Sequence, residues 1–126
     1  MTRSEFIEHI ENVYARGVEL IRRKNADYSA DSDPFKNFRM ADMVGVPPDR
    51  AILVRISDKL ARVSNLIDKP AEVSDETIDD TILDMINYLA ILHSYVSNNK
   101  KLYATGSMVT VCTARYVDSI STDKNI

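Results

Sequence analysis

The chain has 126 residues, of which 28% are charged and 44% hydrophobic, with a formal net charge of -3 and a pI near 5.3. That length gives one domain with a modest core, and the mixture is neither that of a disordered chain nor of a membrane-spanning one. The acidity argues against the basic face that duplex DNA or RNA would require, and a single cysteine, Cys112, excludes an internal disulfide or a cysteine-based zinc site within one chain.

Thr2 and Glu5 have the spacing of a capping box, and Phe6, Ile10, Val13, Tyr14 and Ile21 then recur at helical intervals, so a first helix is expected to about Lys24. The acids of this opening stand where a signal peptide would have an apolar run, which predicts a cytoplasmic protein. Asn25 to Asn37, rich in Asn, Asp and Ser and interrupted by Pro34, reads as a long ordered loop. A brief helical piece from Phe38 should end at Gly45, and Pro47-Pro48-Asp49 restarts the chain. From there Ile52, Leu53, Ile56, Leu60, Val63 and Ile67 form an apolar face at helical spacing, ending before Pro70.

Ser74 is the expected N-cap of a fourth helix, with Asp75 and Glu76 in its first turn. This helix should run to about Val96 with Ile78, Ile82, Met85, Ile86, Leu89 and Val96 as its core face. Its longest apolar run, Met85 to Leu92, contains Asn87 and is far short of the roughly 20 residues of a bilayer span. Beyond residue 98, Met108 to Val117 alternates with β-branched residues like a strand, free to pair in a hairpin with Leu102 to Thr105, to pair with another subunit, or to be a loose tail. The fold expected is all-α, a bundle of about four helices over residues 1–98, with a C-terminal tail over 99–126 whose pattern is open to β structure and to oligomer formation.

Two charged rows carry the chemistry. Arg55, Lys59 and Arg62 form one stripe on the third helix, and Glu76, Asp80 and Asp84 another on the fourth, with Asn87 one turn beyond. Antiparallel packing of these helices would bring the rows into one groove. The rows read equally as solvated faces or as ion pairs between helices. Asp84 and Asn87, however, stand among Leu83, Met85, Ile86, Tyr88 and Leu89, where burial without partners costs about 1–3 kcal/mol each. Arginine offers phosphate a planar fork, lysine a movable charge, and Mg2+ takes one or two carboxylates and completes its shell with water and phosphate.

Lys24, Asp27, Tyr28, Phe35, Asn37 and Phe38 add charge, amide and aromatic groups suited to a base, although Phe35 and Phe38 also serve as plain anchors for the loop. His9 and His93 lie on different helices and form no catalytic pair. With three glycines and no glycine-rich phosphate loop, any nucleotide must be held by side chains.

Four blocks, KNADYS at 24–29, DPFKNF at 33–38, RISDKLARVSNLI at 55–67 and DETIDDTILDMINYLAI at 75–91, resemble the phage and bacterial family named nucleotide modification associated domain 1. That family is itself similar to the all-α nucleotide pyrophosphatases of the MazG and dUTPase type, helical oligomers that hold Mg2+ on two acidic helix motifs. The resemblance implies that Asp80 and Asp84 supply the second motif; with Glu76 of the same row they are the candidate metal ligands. At the first motif this chain departs from the pattern, carrying Arg55, Asp58, Lys59 and Arg62 where those enzymes have glutamates.

The expectation is therefore a homo-oligomeric binder of a small phosphorylated nucleotide, held by Lys24, Asp27, Tyr28, Phe35, Asn37, Arg55, Lys59, Arg62 and Asn87. Its use in a phage would be to sequester a defence signal or to support nucleotide metabolism, without duplex nucleic acid or membrane as a partner. Two alternatives stand beside it: an Mg2+-dependent nucleoside triphosphate pyrophosphohydrolase, and a non-catalytic interaction module whose rows pair with each other.

Overall fold

The computed structural model describes residues 1–28, 33–69 and 77–104, with Asp27 and Tyr28 through their backbone alone. Most of these residues are helical and none lies in a strand: α1 (Arg3–Tyr28), α2 (Lys36–Arg39), a 3-10 turn (Met40–Val44), α3 (Pro48–Asp68), α4 (Ile78–Asn98) and α5 (Lys100–Tyr103). No helix among them is long and apolar enough to cross a membrane. Two compact units divide the chain, residues 1–93 and residues 94–126.

The first unit begins on the expected capping box. The Thr2 backbone N–H donates to Glu5 Oε2 at 2.7 Å, and the Glu5 N–H donates to Thr2 Oγ1 at 3.2 Å. These bonds favour the charged form of Glu5 and lower its pKa. α1 then runs four residues past Lys24, into the stretch expected to be loop. Asn25 and Asp27 cost a helix only tenths of a kcal/mol each, and neither glycine nor proline intervenes before Tyr28.

The chain re-enters the described residues at Asp33, whose Oδ1 accepts the Phe35 N–H at 3.0 Å while Oδ2 accepts from Arg39 Nε. The guanidinium, then the amide, hold this carboxyl below its ordinary range. Gly45 closes the 3-10 turn at φ 79, the left-handed region that glycine enters without penalty, and Val46 N–H donates back to the Ala41 carbonyl at 3.0 Å. α3 starts with Pro48 at its first turn, as expected, and stops at Asp68.

The start of α4 differs from expectation. Its first helical residue is Ile78, and the cap is a Thr77–Asp80 box: Asp80 N–H donates to Thr77 Oγ1 at 3.2 Å, and Asp80 Oδ2 accepts the Thr77 hydroxyl at 2.7 Å and its N–H at 3.1 Å. A threonine with an acid three residues on performs the capping assigned to Ser74, which lies outside the described residues.

The buried face of α4 is also turned from the one expected. Thr81, Leu83 and Asn87 are buried, whereas Ile78, Ile82 and Leu89 are exposed. Basic side chains of α1 and α3 reach Asp84 and Thr81 on the inward side, so polar pairing sets the rotation of the helix and the apolar set is left partly outside. α3 shows the same effect: Ile52 and Val63 join Phe35 and Leu83 in a small core, while Leu53, Leu60 and Ile67 remain exposed.

In the second unit the described residues are the end of α4 and the single turn α5, joined at Asn99, whose Nδ2 donates to the Tyr95 carbonyl at 2.8 Å. Leu102 and Tyr103 are helical, so neither belongs to the strand that one of the three alternatives, a hairpin with Leu102 to Thr105, would use. Residues 105–126, including the alternating Met108 to Val117 stretch, lie outside the described residues.

Candidate functional site

The three members of the basic row meet different partners. Lys59 Nζ lies 3.0 Å from Asp84 Oδ2, and Lys24 of α1 reaches the other oxygen, Oδ1, at 3.2 Å. Asp84, only 19% exposed, is thus a carboxylate bridging two ammonium groups from two helices. Arg62 Nε donates to Thr81 Oγ1 at 3.3 Å, and the Thr81 hydroxyl in turn donates to the Thr77 carbonyl at 2.9 Å. Among the described residues, no carboxylate pairs with Arg55.

Arg55 instead faces a cavity of about 690 Å3. Lys24, Asn25, Asn37, Arg55, Asp84 and Asn87 supply its polar wall. Phe38 and Tyr88, edge to face with centroids 6.3 Å apart, supply aromatic surface. The local sequence explains the convergence. Asp84, Asn87, Tyr88 and Ile91 recur at i, i+3, i+4 and i+7 on α4, as Ile21, Lys24 and Asn25 do on α1, so one face of each helix lines the space. The turn after Asp33 carries Asn37 and Phe38 to its third side.

Asn87 is buried, and its place depends on Gly17. A Cβ added at Gly17 would lie 2.7 Å from Asn87 Oδ1, so α1 can pass this close only without a side chain at that position.

Of the expected ligand residues, the cavity gathers Lys24, Asn37, Arg55 and Asn87. Lys59 and Arg62 do not line it; they brace α3 against α4. Phe35 is buried and anchors the turn through its carbonyl, which accepts the N–H groups of Phe38 and Arg39. The side chains of Asp27 and Tyr28 lie outside the described residues, as does Glu76. Asn25 and Tyr88 join the cavity wall beyond the expected set; in the sequence Tyr88 stood only among the apolar neighbours of Asp84 and Asn87.

Of the expected metal ligands, Asp80 and Asp84 are already engaged by groups of the protein, and Glu76 lies outside the described residues. Asp80 commits Oδ2 to the Thr77 cap, and those bonds hold its pKa below the ordinary value. Both oxygens of Asp84 face ammonium groups, and no three His, Cys, Asp or Glu side chains cluster among the described residues. Asp79 is engaged elsewhere, with Arg16 Nη2 at 2.6 Å. That bond raises the pKa of Arg16 and pins α1 to the start of α4.

Compared with family models, with curated proteins and with solved structures, the chain matches none.

Proposed function

We propose that the cavity beside Arg55 binds a small phosphorylated nucleotide of low charge and holds it without breaking a bond. The observation that carries this reading is the company Arg55 keeps: a guanidinium without a carboxylate partner among the described residues, opening on three amides and two aromatic rings. Its fork takes phosphate oxygens, Lys24 lies close by, and Asn25, Asn37 and Asn87 offer donors and acceptors for a base edge or a sugar hydroxyl. Phe38 and Tyr88 offer surface for the ring. The volume lies within the range of small-molecule sites, about 300–1,000 Å3.

Charge narrows the ligand. Lys24 and Arg55 on the cavity wall, with Lys59 behind it on the second oxygen of Asp84, set three cations against that carboxylate and leave two net positive charges in and just behind the wall. A phosphomonoester carries about -1.5 to -2 at neutral pH and matches them. A triphosphate would bring charge that these residues leave uncompensated. A nucleoside monophosphate is therefore preferred, and retention of such a molecule suits sequestration of a nucleotide signal.

Titration calorimetry with mono-, di-, tri- and cyclic nucleotides, with and without Mg2+, tests the reading. Arg55→Ala should weaken the preferred ligand by about 10–100-fold, as for a charged hydrogen bond, and Arg62→Ala should leave affinity within about twofold. The ligand should be recovered intact after the protein is denatured. Mg2+-dependent turnover that disappears in Asp84→Ala would replace this reading with a pyrophosphohydrolase, and absence of binding across the panel would leave the charged rows as internal bracing.

A further inference from the structure

Asp84 holds one cation more than its charge requires. Lys59 Nζ lies 3.0 Å from Oδ2 and Lys24 Nζ 3.2 Å from Oδ1, so two ammonium groups share a single negative charge. The two lysines differ in place. The Lys59 side chain is 22% exposed and stands behind the cavity wall, whereas that of Lys24 is 52% exposed and forms part of the wall with Arg55. The pairs Lys59 with Asp84 and Arg62 with Thr81 set α3 antiparallel to α4, three residues forward on one for three back on the other. One turn earlier, the same register brings Arg55 beside Tyr88. Arg55 is thus about 6 Å along α3 from the level of the Asp84 bridge, within the sweep of a flexible lysine stem.

We propose, resting on the monophosphate reading of the cavity, that Lys24 exchanges Asp84 for the phosphate of the ligand, and that Lys59 is the positioning residue that permits the exchange by keeping Asp84 paired. Charge balance supports the move. After it every charge has a partner: Lys59 neutralises Asp84, while Lys24 and Arg55 together face a phosphomonoester of charge about -2. A phosphodiester carries one negative charge, which Arg55 matches alone, and it offers Lys24 nothing better than the carboxylate already held. The exchange therefore selects a monoester over a diester at the same position.

Burial decides which lysine moves. Lys24, half exposed, gives up little packing when its head group swings, whereas Lys59 is mostly enclosed between α3 and α4. Without Lys59, departure of Lys24 would strand a carboxylate that is only 19% exposed, the costly way to break such a pair.

Titration calorimetry with the four ribonucleoside 5′-monophosphates and the phosphate methyl ester of each tests the exchange. For a monophosphate that binds, K24M and K59M should each weaken affinity about tenfold, as for one hydrogen bond to a charged group, although Lys59 does not line the cavity. For its methyl ester each should change affinity by less than about twofold. In a D84N background K59M should cost at least about threefold less than in the wild type, because the carboxylate that Lys59 guards is gone. The wild type gives an independent reading. Its Asp84 carboxyl 13C resonance, identified by its loss in D84N, should shift more on saturation with the monophosphate than with the methyl ester. Equal losses for the two ligands, a K59M cost indifferent to Asp84, or an unmoved Asp84 resonance would each overturn the exchange. A monophosphate weakened by Arg55→Ala yet indifferent to K24M and K59M would leave the phosphate site standing and remove the exchange alone, whereas absence of monophosphate binding would remove both.

Discussion

Lys59 and Arg62 stand one and two turns beyond Arg55 on the same stripe of the same helix, yet the two ends of that stripe do different work. At the far end, α4 presents a largely buried carboxylate and a fully buried hydroxyl, Asp84 and Thr81, which absorb the positive charge inside the protein. At the near end, α1, α4 and the turn after Asp33 present amides and rings around open volume, and Arg55 has no carboxylate among the described residues. Residue type and helical period make these positions equivalent. What separates bracing from a binding group is what the neighbouring helices place opposite.

The largest effect should come from removing the group on which the bracing end depends. Asp84→Ala leaves the ammonium groups of Lys24 and Lys59 facing each other without a carboxylate. Breaking a fully buried pair costs about 3–5 kcal/mol; with the Lys24 side chain half exposed, a loss of about 2 kcal/mol is expected in urea unfolding. A loss under about 0.5 kcal/mol would mean that the bridge is not structural and that Asp84 belongs with Arg55.

Gly17→Ala comes next. The new Cβ would meet Asn87 Oδ1 at 2.7 Å, so α1 must shift or the amide must turn. Overpacking of this kind costs about 1–3 kcal/mol. Because Asn87 lines the cavity, ligand affinity should fall along with stability. Stability lost with affinity intact would remove Asn87 from the binding wall.

The acidic row divides as the basic one does, and acid titration separates its members. Asp80 has its pKa lowered first by the Thr77 hydroxyl and then by the Thr77 N–H. Its folded pKa lies below its unfolded one, so the stabilisation is present above the unfolded value near 3.8 and is lost as pH falls through the folded value. In Thr77→Ala the hydroxyl's part of this increment, the larger one, is lost while the backbone N–H remains, so the drop in Tm between pH 5 and pH 2 should shrink. The change should be small and should weaken further in salt, since the group is exposed. An unchanged acid limb would show that the box contributes nothing to the start of α4. Asp33 and Glu5, also lowered, keep part of that limb in the variant.

Much of the backbone plan was legible in the residues. Thr2 with Glu5, Gly45 and Pro48 mark boundaries by local chemistry, and local chemistry is decided within a few residues. The end of α1 and the start of α4 were less so, because Asn25 to Tyr28 contains nothing that forbids a helix and Thr77–Asp80 competes with Ser74 for the cap. The inward face of α4 was misread for a different reason. Periodicity ranks Ile78, Ile82 and Leu89 as core, but Lys24, Lys59 and Arg62 bind Asp84 and Thr81, and that information resides on other helices. The lining of the cavity divides along the same line: Arg55, Asn37 and Asn87 were named from the sequence by residue type, whereas the place of Tyr88 in the wall became visible only once α4 was oriented.

Arg55→Ala should have the smallest effect on stability and is the sharpest test of the contrast between the two ends. Removing an exposed side chain that braces nothing should change unfolding free energy by less than about 0.5 kcal/mol, well below the cost at Asp84. Arg55→Lys separates charge from shape. It keeps the positive charge and loses the planar fork, so affinity for a phosphate gripped by two nitrogens should stay well below wild type, while a site that needs only charge would recover most of it. Equal stability in all three proteins with affinity ordered Arg, Lys, Ala would make Arg55 a ligand-facing group. A destabilisation by Arg55→Ala equal to that of Asp84→Ala would return it to the bracing row and dissolve the distinction between the two ends.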